Sequence, residues 1–175
     1  MASGSHADET RGGASPTDRP LSDGEVEAVG SLIDEWLDRT LAEGSLLAAF
    51  ERDAGAPTGE HRWYVRVLGE SRDTFTIWFT LRQRMLHYET YLMPAPEENH
   101  ERFFEHLLQR NRRLVGTSFC LGDEDAVYLV GAVPAETIDG AELDRLLGTL
   151  WEAVERCFHP ALRIGFASRA GRESS

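Results

Sequence analysis

The stretch from Arg62 to Arg113 constrains the fold more than any other part of the chain. Three runs rich in aromatic and β-branched residues, Arg62 to Leu68, Thr74 to Leu81 and Met85 to Met93, follow one another across short polar links. Links that short join antiparallel neighbours, so the runs read as a three-stranded meander. Pro94 and Pro96 stop the last run, because proline cannot donate to a sheet ladder. Glu97-Glu98-Asn99-His100 then opens a helix expected to reach about Arg113. Acids in its first turn and Arg110, Arg112 and Arg113 in its last follow the order that a helix dipole favours.

The flanks supply the remaining elements. Ser22-Asp23-Gly24-Glu25 matches a capping box, and Val26, Val29, Ile33, Trp36, Leu37 and Leu41 fall on one stripe of a helix ending near Gly44. Ser45 to Glu60 carries Leu46, Leu47 and Phe50 but also Gly55, Pro57 and Gly59, which predicts a short helical turn followed by a loop. Gly116 to Leu121 and Ala126 to Val133 read as two more strands, joined by a hairpin turn at Gly122-Asp123-Glu124-Asp125. Asp139-Gly140-Ala141-Glu142 caps a last helix whose stripe runs Leu143, Leu146, Leu147, Leu150, Trp151, Val154 and Phe158. That helix must cover the sheet, with Trp151 expected at the centre of the contact. The fold class is α+β, an α-βββ-α-ββ-α sandwich of an antiparallel sheet with helices packed on it.

A chain of 175 residues, 41% of them hydrophobic, suits one domain with a substantial core. That domain is placed at residues 21–169. Residues 1–20, rich in Ser, Gly, Ala, Asp and Thr, read as a disordered tail, and residues 170–175 as a disordered end. The net charge of −12 lies mostly in residues 1–60, which hold 13 acids against four arginines. A net-acidic chain lacks the basic footprint that nucleic acid or an anionic membrane demands, so neither is expected as a partner. No signal peptide or membrane-spanning run is legible, and Cys120 and Cys157 sit among apolar neighbours as two buried thiols. A cytoplasmic location follows.

Side chains alternate along a strand, so aligning the apolar sets tests which register makes one face uniformly oily. Opposing Val67 with Phe75 and Phe79 with Leu86 gathers Trp63, Val65, Phe75, Ile77, Phe79, Leu81, Leu86, Tyr88 and Leu92 on the core face. The other face then carries a row of Tyr64, Trp78 and His87 beside a row of Arg66, Thr76 and Glu89. An aromatic row next to a polar row is suited to gripping a partner protein, with Trp78 as anchor. Tyr64, Arg66, Trp78, His87 and Glu89 are therefore the candidate partner-binding residues.

Catalytic patterns are weak. His87 and Glu89, two apart on a strand, share a side as two metal ligands or an acid and base would, but no third ligand accompanies them. His100 and His106 lie six residues apart, about 240° around a helix, and so cannot grip one metal as the pair four apart in zinc proteases does. Glu101 and Glu105 share a face that reads as solvated helix. No Gly-x-Ser-x-Gly, P-loop or Gly-x-Gly-x-x-Gly is present. No catalytic residue and no cofactor is expected. The readings left are a protein-interaction module and, as alternative, a small-ligand or metal sensor.

Trp78-Phe79-Thr80-Leu81 and Tyr88-Glu89-Thr90-Tyr91-Leu92-Met93-Pro94-Ala95-Pro96-Glu97-Glu98-Asn99-His100 resemble actinobacterial YbjN-domain proteins. Leu107-Leu108-x-Arg110-Asn111, the strand from Glu124 to Gly131, and Pro160-Ala161-Leu162-Arg163-Ile164-Gly165-Phe166 continue the likeness, which covers residues 21–169. The resemblance implies a fold similar to that of type III secretion chaperones, a tendency to form homodimers, and a regulatory role in sensory transduction or stress through protein contact. It brings no catalytic residues and no cofactor.

Overall fold

The computed structural model describes residues 20–170, and the expected tails lie outside the described residues except for Pro20 and Ala170. Helix α1 (Asp23–Glu43) begins at the expected capping box: the Ser22 hydroxyl accepts from Glu25 N while the Glu25 carboxylate accepts from Ser22 N at 2.8 Å. It ends at Gly44, which takes the left-handed conformation (φ 66°) that glycine adopts without a Cβ clash.

Four strands follow rather than three: β1 (Leu47–Arg52), β2 (His61–Leu68), β3 (Thr74–Leu81) and β4 (Met85–Met93). Strand β1 corrects the expected helical turn and loop. Its Leu, Ala and Glu residues favour helix locally, but six residues cannot sustain one alone, and pairing with β2 claims the backbone instead. A register shift between Leu47 and Ala49 also breaks the alternation that would have disclosed a strand.

Helix α2 (His100–Asn111) carries the chain over to β5 (Thr117–Leu121) and β6 (Val127–Pro134); a 3-10 turn (Ala135–Thr137), the long α3 (Gly140–Gly165) and the short α4 (Ala167–Ala170) complete the chain. The strands form one antiparallel sheet in the order β1-β2-β3-β4-β6-β5. All the long helices pack on one face of it, over a core that includes Trp36, Leu37, Trp63, Phe79, Leu86, Leu129, Leu150 and Val154. Both buried indoles find acceptors: Trp36 Nε1 donates to Asp144 at 2.8 Å and Trp63 Nε1 to Asp34 at 2.6 Å.

The predicted core face is the observed one, and Val67 opposes Phe75 as expected. The next pairing differs: Phe79 opposes Tyr88, and Leu86 opposes Leu81. The hairpin closes on Gln83 and Arg84, where Arg82 N bonds Met85 O at 3.0 Å and Leu21 N bonds Gln83 O at 2.7 Å. A slip of two residues leaves every side chain on its face, since the strand period is two, but changes its neighbours.

Three further placements differ from expectation. Helix α2 starts at His100 because the Glu97 and Glu98 amides are taken by the Gly165 carbonyl at 2.9 and 3.1 Å. The end of α3 therefore packs on its own domain, and a Cβ at Gly165 would lie 2.8 Å from Phe103. Trp151 sits half-buried at the flank, its indole donating to Leu68 O at 3.0 Å, while Leu150 and Val154 hold the centre. Cys120 is exposed rather than buried, because Thr117 and Phe119 take the core side of β5; Cys157 is buried.

Strands β4 and β6 meet where Tyr88 crosses Gly131 and donates to Gly116 O at 2.6 Å. A Cβ at Gly131 would lie 2.2 Å from that carbonyl and 2.4 Å from the tyrosine ring. Gly131→Ala is expected to cost roughly 3 kcal/mol, lowering Tm by about 6–12 °C; an unchanged Tm in a melting scan would contradict the packing. Conversely, Thr90 is fully buried on β4 with its hydroxyl unpartnered among the described residues. Thr90→Val removes an unsatisfied polar group and should add about 1 kcal/mol, measured by denaturant unfolding; a loss of stability would reveal a partner for the hydroxyl.

Candidate functional site

With every long helix on one side, the other face of the sheet carries no helix among the described residues. Pairing across it sets Glu51, Tyr64, Trp78, Glu89, Val130 and Ser118 in one row. Arg62, Thr80, His87 and Ala132 form the row beside it. On the other side Ala49, Arg66 and Thr76 continue toward Tyr91, Tyr128 and Cys120. All five candidate residues, Tyr64, Arg66, Trp78, His87 and Glu89, thus share this open face. The neighbours are corrected by the two-residue slip: Trp78 lies beside Glu89 and not His87, and Arg66 and Glu89 fall in different rows.

Trp78, His87 and Glu89 line a shallow hollow of about 300 Å³ together with Thr80, Arg82 and Val130. Gly131 contributes only backbone to its floor, since a Cβ there would point to the core face against Tyr88. Tyr64 and Arg66 stand outside it on β2, where Tyr64 is 39% exposed.

Sequence reasoning missed half of the aromatic surface. Trp78 stacks obliquely on Tyr128 (6.2 Å between centroids), and Tyr128 meets Tyr91 edge to face at 5.6 Å. Tyr91 shares the parity of His87 and Glu89, and Tyr128 alternates with the buried Val127 and Leu129, which is the signal available in the sequence. The contact itself depends on the β4–β6 pairing, which no hairpin arithmetic supplies.

Tyr128 is also fastened at the β5–β6 turn, where its hydroxyl donates to Glu124. That bond pushes the phenol up to about 12 and holds the Glu124 carboxyl below its usual range. On Cys120, at the same end of the face, burial and the charge of Glu89 raise the thiol pKa, which disfavours the reactive thiolate.

The densest polar cluster lies elsewhere, between α1 and the sheet edge. Asp34 accepts from Trp63 Nε1 at 2.6 Å and from Arg52 at 2.5 Å; Arg52 also donates to His61 Nδ1, and His61 Nε2 faces Glu27 at 3.4 Å. An acid, an imidazole and an arginine together suggest chemistry, but both ring nitrogens of His61 are occupied within the protein. A general base needs one nitrogen free for substrate, and this arrangement instead clasps α1 to β1 and β2. Among the described residues no three of His, Cys, Asp and Glu come together as metal ligands.

The Tyr128–Glu124 bond has a definite pH window. The raised phenol contributes stability that is full below the ordinary tyrosine pKa and is lost as pH rises through about 12. The lowered Glu124 contributes above the ordinary carboxylate pKa, and that contribution is lost in acid. In an alkaline titration of phenolate absorbance, one tyrosine should ionise at a pH of about 12, and Glu124→Gln should return it to the ordinary range; an unmoved midpoint would refute the bond.

Comparison with known proteins places this architecture. The profile of the YbjN family, described as "Putative bacterial sensory transduction regulator", matches residues 34–163. An uncharacterized protein of Mycobacterium leprae (strain TN) is 34% identical over 141 residues, which cover 79% of this chain and 77% of that protein. Uncharacterized proteins of Mycobacterium bovis (strain ATCC BAA-935 / AF2122/97) and Mycobacterium tuberculosis (strain ATCC 25618 / H37Rv) are 33% identical over 122 residues, or 70% of this chain. The match spans 65% of the length of each of those two proteins, just under two thirds.

Proposed function

This chain belongs to the YbjN family, and we propose that it works as a non-catalytic regulatory module that binds protein through the open face of its sheet, first of all a second copy of itself. The observation that carries the proposal is the aromatic cluster of Trp78, Tyr91 and Tyr128, with Tyr64 beside it, on a sheet face that no helix covers. Aromatic anchors inside a polar surround are the composition of a protein-binding patch. Arg62, Arg66, Glu51, His87 and Glu89 supply that surround.

Size supports the same reading. Six strands of about eight residues, spaced about 4.8 Å apart, present roughly 600 Å². Two copies face to face would bury on the order of 1,200 Å², the lower end of stable interfaces. Strands β3 and β4 are the middle pair of the sheet, so a twofold axis through the face sets Trp78 near its own copy and closes the assembly at two. The likeness to type III secretion chaperones, carried by the family resemblance, points to the same dimeric, segment-holding role.

No described helix is long and apolar enough to cross a membrane. A cytoplasmic site of action is part of the proposal, supported by two free cysteines, one of them exposed. The alternative, a small-ligand sensor, draws on a separate cavity in the helical layer described below.

Light scattering behind a sizing column, over a tenfold dilution, tests the dimer. Twice the 19.6 kDa chain mass is expected, and Trp78→Ser should shift the population to monomer while changing stability by no more than about 1 kcal/mol. A wild-type monomer, or a dimer indifferent to Trp78→Ser, would overturn the assignment of this face.

A further inference from the structure

The helical layer carries a concentration of positive charge that the protein-binding reading does not use. Residues 106–113 contain His106, Arg110, Arg112 and Arg113 and no acid, on a chain whose net charge is −12. Arg52, Arg62, Arg82, Arg145, Arg156 and Arg169 each hold a carboxylate within 4 Å. Among the described residues Arg110, Arg112 and Arg113 hold none. Basic residues in the last turn of α2 offset the helix dipole, but that accounts for neither of two further observations.

First, these side chains surround space. A cavity of about 460 Å³ is lined by His106, Gln109, Arg110, Arg112 and Arg113 alone. A second, of about 250 Å³, shares Arg110 and Arg113 and adds Arg156 with the apolar Leu114, Val115 and Ala153. The one carboxylate there, Glu152, is already held by Arg156 at 2.6 Å. Second, His106 Nε2 is buried without a hydrogen-bond partner among the described residues. Burial and the fields of Arg110 and Arg102 hold the imidazole below its usual pKa.

We propose that this groove binds a small organic phosphate, its phosphate held by Arg110, Arg112 and Arg113 beside His106 and its less polar part resting on Leu114, Val115 and Ala153. Guanidinium forks match phosphate oxygens two at a time, which a point charge cannot do. His106 lines the same cavity. The larger cavity is of the size that small ligands fill, and an apolar annexe beside a cluster of convergent polar groups is the usual form of such sites. Val115, 74% exposed on the rim, gives the annexe an open entrance.

The test is isothermal titration calorimetry at low salt with inorganic phosphate, pyrophosphate and adenosine monophosphate, and succinate as the carboxylate control. Saturable binding of one ligand per chain is expected for the phosphates, with adenosine monophosphate tighter than phosphate alone and the His106 ring resonances shifting on addition. Arg110→Gln with Arg113→Gln should weaken binding by about tenfold or more and leave the solution mass unchanged. Should that pair fail to fold, the exposed Arg112→Gln alone must show a weaker loss of the same kind. Absence of saturable heat with all three phosphates, equal affinity for succinate, or binding that survives the substitutions would each overturn the proposal. Because the site lies in the helical layer, its failure would leave the dimer through the open sheet face standing, and the reverse.

Discussion

The seam between β4 and β6 is the constraint on which the rest of the structure depends. Strands β1 to β4 are joined by local hairpins and β5 to β6 by another, whereas β4 and β6 are brought together across the whole of α2. Loop closure over that distance costs entropy before any contact repays it. Tyr88 repays part of it at one point: its ring covers Gly131 on β6 and its hydroxyl reaches Gly116 just before β5, so one side chain of β4 ties the two together. Glycine at 131 is what lets the ring lie against the ladder. The join that completes the core also brings Tyr128 to Trp78 and Tyr91 on the opposite face.

How far the sequence disclosed this follows from where each interaction is local. Strands β2, β3 and β4 and both capping motifs were legible because their signals lie within a few residues: alternation, short links, a serine three residues before a glutamate. The face assignment survived a wrong hairpin closure because parity, not register, decides faces. Register itself was lost because Leu21 and Glu60, both distant in sequence, hold the Gln83 and Arg82 turn. Strand β1 was hidden by helix-favouring residues and a bulge. Tyr91 and Tyr128 were invisible as a pair because nothing local couples β4 to β6. Trp151 illustrates the opposite error: a large apolar residue on a helical stripe was placed centrally, whereas its indole N–H needs an acceptor and finds one at the rim.

The two layers of the fold divide the labour of charge. Acids crowd α1, where Asp34 and Glu27 are spent on the clasp with Arg52 and His61, Glu25 closes the capping box, and Asp23, Glu35, Asp38 and Glu43 are exposed. The sheet's open face mixes signs around its aromatics, as a surface must if it is to meet another protein without net repulsion. Three arginines without a carboxylate partner, Arg110, Arg112 and Arg113, stand together at the end of α2, behind the sheet. Such segregation is costly to leave unpaired, since like charges within one turn repel, and nothing in the dipole of a twelve-residue helix requires three of them. A surface for protein and a pocket for an anion are consistent uses of one layer each.

The edges of the sheet show why contact through the face is the route left open. An exposed strand edge invites another strand, and proteins that are not to polymerise blunt it. Strand β5 is closed by a side chain acting as a strand: Asn111 accepts from Phe119 N at 2.8 Å and donates to Phe119 O at 3.3 Å, so the outward backbone pair is already satisfied. Strand β1 is short and interrupted between Leu47 and Ala49, and beyond Arg52 the Asp53 carboxylate turns back to Gly55 N at 2.8 Å, ending the edge before Pro57. With one edge plugged and the other bulged and cut short, sheet-to-sheet growth in the hydrogen-bonding direction is suppressed at both ends. The aromatic face remains open to contact, and a face contact between two copies would consume itself in a closed pair where an edge contact would leave another edge to extend.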